Sequence, residues 1–182
     1  MKIINPILPI MDAILGNLTS FQSEGQITSQ TIERVALEWY ESERNILRKT
    51  TNTGREVAFR LLKEGQRLKH DDVVFISNEL VIAIEILPSE VIVLSPQSLP
   101  EMARACYEIG NKHSPLFLDG DEVTLPYDKP MFEWLNAAGF NPQKAERRLS
   151  QALRANSAQG HGHSHSHSQG YHHHGDGNWH QH

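Results

Sequence analysis

The first half of the chain is dominated by segments in which apolar and polar residues alternate. Residues 35–40 alternate as a strand with one buried face does, and the same spacing returns at residues 57–61. The run 51–54, Thr-Asn-Thr-Gly, is typical of a turn and separates that second segment from another strand candidate, residues 46–50. The pattern therefore predicts a strand followed by a β-hairpin.

Two further apolar runs follow the hairpin. Residues 73–76 and 80–86 are predicted to be strands separated by a short polar segment, Ser-Asn-Glu. Residues 12–18 are predicted to form one or two helical turns, and residues 62–72 a polar loop. These elements predict an antiparallel β domain at the N-terminus, to which we assign residues 1–76.

Helical spacing appears in the second half. Residues 91–94 are a short apolar run of the kind that forms a buried strand. Ser98 and Glu101 have the spacing of a capping box, Pro100 suits a first helical turn, and Gly110 is placed to end the helix. Apolar residues recur at helical spacing between these signals: Met102, Ala103, Cys106 and Ile109. The pattern predicts a strand followed by a helix.

A second group of strands and a helix comes next. Residues 115–118 and 122–125 are strand candidates joined by an Asp-Gly-Asp turn, and Asp128 can cap a helix that Gly139 ends. The resulting order, β-α-β-β-α, needs one more strand to complete a ferredoxin-like βαββαβ fold. The following residues should supply that strand, although residues 143–154 have the pattern of a charged helix.

The predicted fold class is α+β, with three parts. The N-terminal antiparallel β domain is residues 1–76, the ferredoxin-like domain is residues 77–155, and a histidine-rich tail is residues 156–182. The tail has almost no apolar residues to bury, so it cannot offset the entropy of ordering, and we predict that it is disordered.

The histidine-rich tail holds nine of the eleven histidines of the chain. A neutral imidazole is a good ligand for nickel, copper and zinc, and its unperturbed pKa of about 6.5 leaves most rings free to coordinate near neutral pH. The predicted metal ligands of the tail are His161, His163, His165, His167, His172, His173, His174, His180 and His182. Composition alone therefore predicts metal binding, but not which metal is bound.

The first four tail histidines are each separated by one Gly or Ser. In an extended chain such residues project to one face about 6.5–7 Å apart, too far to share one ion without bending. Gly and Ser make bending easy, so we expect many interchangeable coordination geometries. A purification tag and a simple linker are poorer interpretations, because the run is interrupted, contains Tyr171 and Trp179, and has more histidines than a linker needs.

Charge and composition narrow the class of protein. The formal net charge is −5 and there is no basic block, which argues against nucleic acid as the main partner. No stretch approaches the length of a membrane span, and two prolines within the first nine residues argue against a signal peptide. Cys106 is the single cysteine, so no intrachain disulfide can form, and a cytoplasmic location is expected.

The body of the chain offers little for catalysis. It contains two histidines, His70 and His113, and no metalloprotease, nucleophile-elbow or phosphate-binding motif, so we predict that the protein is not an enzyme. His70, beside two aspartates, is interpreted as part of a solvated turn. One imidazole holds a metal poorly, but a twofold axis could place His113 opposite its own copy.

Four segments carry a family resemblance. They are Val35-Ala-Leu-Glu-Trp39, Thr53-Gly-Arg-Glu-Val57, Leu68-Lys-His-Asp-Asp-Val73 and Ala103-Arg-Ala-Cys-Tyr-Glu-Ile-Gly-Asn-Lys-His113 with the following Pro115-Leu116. These segments resemble the UreE family of urease accessory proteins, which are nickel metallochaperones. In that family a helix ends in a Gly-Asn-Arg-His corner, and Lys112 takes the place of the Arg here.

The resemblance implies both a site and a function. It implies a homodimer in which His113 binds nickel at the interface, with the C-terminal domain serving for metal binding and dimerisation. It implies delivery of nickel as cargo to apo-urease, through a complex with an accessory GTPase, with zinc or copper as competitors. Relatives often carry further histidines in a Tyr-His-His-Asp-His-like stretch, but the matching residues 125–130 contain none, so a metal site there is not expected.

Two alternatives to a chaperone remain open from the sequence. The first is general storage or buffering of nickel, zinc or copper by the tail. The second is a metallohydrolase that uses His113 and tail ligands, with Asp119, Asp121 or Glu122 as a general base, although these acids have the pattern of solvated turn residues.

Overall fold

The computed structural model describes residues 10–63, 66–150 and 152–153. The histidine-rich tail, and with it all nine tail histidines and the prediction of disorder, lies outside the described residues. In chain order the elements are β1 (Gly16–Asn17), α1 (Leu18–Ser23), β2 (Thr31–Leu37), β3 (Ile46–Thr50), β4 (Glu56–Arg60), β5 (Asp72–Ile76), β6 (Leu80–Ile86), β7 (Ser89–Leu94), α2 (Leu99–Asn111), β8 (Phe117–Asp119), β9 (Glu122–Pro126), α3 (Lys129–Ala137) and β10 (Gln143–Arg147).

The N-terminal sheet has the strand order β1-β5-β6-β2 and is mixed. β2 runs parallel to β6, with Thr31 opposite Leu80 and Leu37 opposite Ile86. The prediction of a wholly antiparallel domain is therefore wrong. A parallel pair needs a long crossover, and residues 38–79, which include the hairpin and β5, provide it.

The same sheet extends past the domain boundary predicted at residue 76. β6 pairs with β2 on one side and with β5 on the other, and the segment between β5 and β6 is a tight turn in which Ser77 N donates to Leu80 O at 2.8 Å. A hairpin turn of this kind joins two strands of one sheet. The predicted cut after residue 76 would therefore separate β6 from both of its partners.

The predicted hairpin is confirmed as β3 and β4, which pair antiparallel from Ile46 opposite Arg60 to Thr50 opposite Glu56. The turn between them contains Gly54 at φ 86°, a conformation that glycine adopts without strain. The inner face of the hairpin, including Leu47 and Phe59, joins a core cluster with Leu37 and Ile84. This packing attaches the hairpin to the mixed sheet.

A short helix lies later than predicted in the N-terminal region. The prediction put helical turns at residues 12–18, whereas α1 begins at Leu18. Asn17 caps α1, with its side chain accepting from Thr19 N at 3.0 Å, and Gly16 and Asn17 pair with β5. Asn is a strong N-cap residue, so the helix begins after it.

The C-terminal half has the predicted element order β-α-β-β-α-β. Its sheet has the order β10-β7-β9-β8, and all three pairings are antiparallel. The caps follow the sequence signals: Ser98 Oγ accepts from Glu101 N at 3.3 Å, and Asp128 Oδ2 accepts from Met131 N at 2.9 Å. Apolar faces of α2 and α3 cover one side of the sheet, with Ile109 and Leu135 fully buried.

The last strand occupies residues for which the sequence pattern, over 143–154, had indicated a charged helix. Residues Gln143–Arg147 form β10, which pairs with β7 from Gln143 opposite Val93 to Arg147 opposite Ser89. Its charged side chains lie at the sheet edge, where Lys144 pairs with Glu90 at 2.8 Å. The open edge of β7 offers a full ladder of backbone hydrogen bonds, and this tertiary pairing overrides the local propensity.

The two halves contact each other at several points. The Trp39 ring meets Phe117 edge-on with centroids 5.6 Å apart, and Arg148 Nε donates to Ile86 O at 3.0 Å. Among the described residues, none of the helices has the length and apolar character needed to cross a membrane.

Candidate metal site

His113 lies just beyond the end of α2 in an unusual backbone conformation. The helix runs to Asn111, Lys112 is its cap, and His113 has φ 55° with its N–H donating to Gly110 O at 2.9 Å. The sequence predicted that Gly110 would end the helix, but Gly110 lies within it and the left-handed residue is His113. A left-handed non-glycine residue is strained, and such positions concentrate at functional sites.

The backbone at this corner presents the imidazole of His113 to solvent. His113 is exposed, and it lines a cleft of about 590 Å³ between the two halves of the chain. The N-terminal half contributes Trp39 and Glu43 to this cleft, and α2 contributes Cys106 and Gly110. A metal ion bound to His113 would therefore remain accessible to other donor groups.

Cys106 is the other soft donor at the cleft. Burial raises the pKa of its thiol, and Sγ lies 3.9 Å from Met102 Sδ on the same helix. Metals bind the thiolate, so a raised pKa makes this group a poor ligand at neutral pH. His113 is thus the better metal donor of the two.

The described residues do not form a closed metal cage. No group of three or more His, Cys, Asp or Glu side chains that could hold an ion occurs within residues 10–63, 66–150 and 152–153. His113 would need donors from elsewhere, either from a second copy of the chain or from the histidine-rich tail.

The exposed face of α2 leads from the start of the helix to the His113 corner. Leu99 is 81% exposed and Tyr107 is 69% exposed, and Ala103 between them is also exposed. These residues are four apart, so they form one stripe along the helix. An apolar stripe of this kind is a candidate contact surface next to the imidazole.

The last described residues before the tail lie beside the same cleft. Leu153 N donates to Leu116 O at 2.7 Å, and Ala152 forms an antiparallel bridge with Phe117. Ala152 and Leu153 also line the cleft with His113. The structure therefore brings the last described residues before the tail together with the His113 corner, while the tail itself lies outside the described residues.

His70 has a structural role that the sequence did not reveal. Its Nδ1 accepts from Ile86 N at 3.2 Å, and its Nε2 lies 3.8 Å from Asp71 Oδ1. It was interpreted as part of a solvated turn, whereas it is partly buried against the end of β6. The lone pair on Nδ1 is used in this hydrogen bond, so His70 is not placed as a metal ligand.

Two of the acids proposed for hydrolytic chemistry, Glu122 and Asp119, take part in hydrogen bonds or ion pairs at the surface. Glu122 accepts from Arg147 and from Ser95 Oγ, and these hydrogen bonds lower the pKa of its carboxyl. Asp119 lies 3.8 Å from the same Arg147 guanidinium. A carboxylate with a lowered pKa is a weak general base, which disfavours the hydrolase alternative.

The stretch that matches the family's additional histidines has packing roles. Tyr127 contacts the Phe132 ring at 6.0 Å between centroids and lies under Lys144 Nζ at 4.3 Å, and Asp128 caps α3. Packing and helix capping therefore account for Tyr127 and Asp128 at this position.

Comparison with known proteins gives a consistent result along the chain. Residues 11–87 match the family model described as the UreE urease accessory protein, N-terminal domain, and residues 89–182 match the one for its C-terminal domain. The chain is similar to "Urease accessory protein UreE" of Haemophilus influenzae strain PittGG, at 89% identity over 185 residues and all of both chains.

More distant relatives carry the same name. The protein from Actinobacillus pleuropneumoniae is 82% identical over 187 residues, again covering all of both chains. The protein from Acetivibrio thermocellus is 39% identical over 147 residues, covering 81% of this chain and 93% of the relative. Both halves and nearly the full length are thus accounted for, and the chain belongs to the UreE family of urease accessory proteins.

Proposed function

We propose that this protein is a nickel-binding metallochaperone that delivers nickel to apo-urease during urease maturation. As a member of its family it is a urease accessory protein rather than the urease itself. The observation that carries the proposal is the His113 corner, where a residue with backbone φ 55° has its side chain exposed, in a cleft that it lines together with Ala152 and Leu153, the last described residues before the tail.

We further propose that the working unit is a homodimer with one nickel ion between two copies of His113. The exposed stripe Leu99, Ala103 and Tyr107 runs along α2 toward His113, so a twofold contact through α2 would bury the stripe and bring the two imidazoles together. Sharing an ion across the axis supplies two ligands from one residue per chain.

The histidine-rich tail is proposed as the reservoir that supplies this site. His161 is eight residues beyond Leu153, so it can lie at most about 26–29 Å from Leu153, whose N–H donates to Leu116 O. The first tail histidines are therefore within reach of the cleft that His113 lines. They could add ligands to the shared ion or pass ions to it.

The ligand chemistry suits transfer rather than permanent storage. Imidazoles in an open site exchange their metal more readily than a closed thiolate cage, and the thiol of Cys106 is kept protonated by its burial. Copper and zinc bind imidazole as well, so they are expected competitors for the same ligands. We place this activity in the cytoplasm, in a complex with apo-urease and an accessory GTPase.

We also propose that the C-terminal half is a ferredoxin-like domain that carries the metal site and the dimer contact. The βαββαβ order and the sheet order β10-β7-β9-β8 support this assignment.

The test compares His113→Ala with Asn111→Ala, a neighbouring exposed position, in chains that end at Ala155. In this background His70 and His113 are the remaining histidines, so the tail cannot mask a loss. Equilibrium dialysis should count about one nickel per dimer for the parent and for Asn111→Ala, because two symmetry-related imidazoles hold one ion, and none for His113→Ala.

Urease activation in cells completes the test. In the full-length chain, His113→Ala should lower nickel-dependent urease activity at limiting nickel, whereas Asn111→Ala should not. Undiminished nickel binding by the shortened His113→Ala chain would contradict the assigned site. Lost nickel binding with undiminished urease activation would instead favour storage or buffering as the function.

A further inference from the structure

One surface far along the chain from His113 combines exposed aliphatic and basic side chains. It is the outward side of the β3–β4 hairpin, and we call it the hairpin face: Ile46, Arg48, Arg60 and Leu62. Alternation along β3 and β4 puts Leu47 and Phe59 in the core, so their neighbours must point outward. Leu62 follows the buried Leu61 and extends the same side.

The two aliphatic side chains of the hairpin face are unusually exposed to solvent. Ile46 is 69% exposed and Leu62 is 62% exposed. Ile46 pairs with Arg60, and Leu62 lies two residues beyond Arg60, so the two aliphatic side chains are diagonal neighbours on one face.

The charged members are free to bind a partner. Arg48 and Arg60 are exposed, and in the described part of the chain neither guanidinium makes an ion pair or a hydrogen bond. One acid shares this side: Glu56, opposite Thr50 at the turn end of the hairpin, is a diagonal neighbour of Arg48 but lies at the other end of β4 from Arg60. A basic face on a chain of formal net charge −5 is a local reversal of sign.

Protection of a sheet edge explains only part of this composition. β3 pairs with β4 alone, while the other side of β4 meets Met11, so the outer edge of β3 is open in the described structure. Charges such as Arg48 keep open edges from pairing with other chains. That role does not account for two aliphatic side chains on the same face, because they would promote association.

We propose that the hairpin face is the docking surface for the urease maturation machinery, and that it binds an acidic protein surface with an apolar centre. The inference rests on the proposed function, because it names the place where the nickel-loaded protein meets its recipient. Arginine is enriched at protein interfaces, and the exposed aliphatic side chains beside it suit an apolar contact, whereas phosphate recognition would leave Ile46 and Leu62 without a use.

The hairpin face and the metal site belong to different halves of the chain. None of the four hairpin-face residues lies in α2 or lines the cleft around His113. Docking and nickel release can therefore be disrupted separately, which makes the proposal testable apart from metal binding.

The test measures binding of the full-length nickel-loaded protein to purified apo-urease carrying its accessory proteins, by surface plasmon resonance. Arg48→Glu with Arg60→Glu should raise Kd by at least about tenfold, because it puts like charges against an acidic surface. Ile46→Ser with Leu62→Ser should weaken binding similarly through loss of apolar contact. The matched control, Lys129→Glu with Lys144→Glu, changes charge equally on exposed lysines of the other half and should leave Kd within twofold.

Nickel counts and thermal melts separate this proposal from the proposed function. Each variant should keep the parent nickel count and fold, and Arg48→Ala with Arg60→Ala provides a milder pair if charge reversal unfolds the chain. Unchanged Kd in the folded hairpin variants would overturn the docking surface while leaving the nickel site standing. Equal weakening by the lysine control, or binding of a duplex oligonucleotide through the same arginines, would also overturn it.

Discussion

His113 carries a conformational cost that should be visible in stability. A left-handed backbone costs a residue with a Cβ roughly 1–2 kcal/mol, and glycine avoids most of that cost. We therefore expect His113→Gly, at φ 55°, to be at least as stable as the parent toward urea, while His113→Ala gains nothing. In chains that end at Ala155, both variants should fail to bind nickel at this site.

This pair of variants separates loss of the imidazole from loss of the fold. A chain that is as stable as its parent and no longer binds nickel has lost a ligand. A His113→Gly chain more than about 1 kcal/mol less stable than the parent would show that the histidine is held by packing rather than against strain.

Glu33 is a buried acid that takes part in no proposed chemistry. It is 4% exposed, and its carboxylate accepts from Thr51 Oγ1 at 2.8 Å and from Arg55 Nε at 3.1 Å. Burial raises its pKa, but the hydrogen bonds from Arg55, Thr51 and Thr53 outweigh it and hold the pKa below the usual 4.5. The network ties the hairpin turn to β2.

Replacing Glu33 by Gln should destabilise the fold by about 2 kcal/mol at pH 7, because Arg55 loses its charged partner in a partly buried site. A lowered pKa in the folded state stabilises the protein above the unfolded pKa, and this stability is lost as pH falls through the folded value. Urea titrations between pH 6 and 3 should therefore show a flatter decline for Glu33→Gln than for the parent. Glu56→Gln, at an exposed position, should cost little stability at pH 7 and serves as the matched control.

The start of α2 is held by a reciprocal cap. Ser98 Oγ accepts from Glu101 N at 3.3 Å, and Glu101 Oε2 accepts from Gln97 N at 2.8 Å. Ser98→Ala should cost about 1 kcal/mol in urea unfolding, since it leaves an N–H of the first turn without a partner. Ser29→Ala, at an exposed loop position, should cost nothing measurable, and equal stability of the two variants would show that the cap is dispensable.

Elements with local signals could be predicted from the sequence. The hairpin at β3 and β4 follows from alternation around a turn, and α2 and α3 follow from their caps and helical spacing. β10 could not, because its residues are charged and only the free edge of β7 makes them a strand. The parallel pairing of β2 with β6 also depends on a contact between distant residues, for which local pattern carries no signal.

Some features of the candidate metal site could likewise be predicted from the sequence, whereas others needed the structure. His113 was identified through the family resemblance and the tail ligands through composition. The left-handed backbone of His113 and the bridge between Ala152 and Phe117 needed the structure, because both depend on how distant segments meet. The predicted use of Gly110 as the helix end was wrong, since the chain continues through Asn111 before turning.

At the scale of the whole molecule, the histidine-rich tail should carry metal capacity but little stability. Ending the chain after Ala155 removes nine of eleven histidines and none of the buried core residues that the structure describes. Nickel counted by equilibrium dialysis should fall severalfold, while the melting temperature without metal should change by less than about 2 °C. An unchanged nickel count would locate the main reservoir in the body.

The parallel pairing of β2 with β6 has a consequence for folding during synthesis on the ribosome. Residues Thr31–Leu37 find their partner only when Leu80–Ile86 has been synthesised, which at about 5–20 residues per second takes roughly 2–10 s after Leu37 is added. Throughout that interval Val35 and Leu37, which end fully buried, have no strand beside them on the nascent chain. Until β6 is available, these apolar residues expose the growing polypeptide to aggregation.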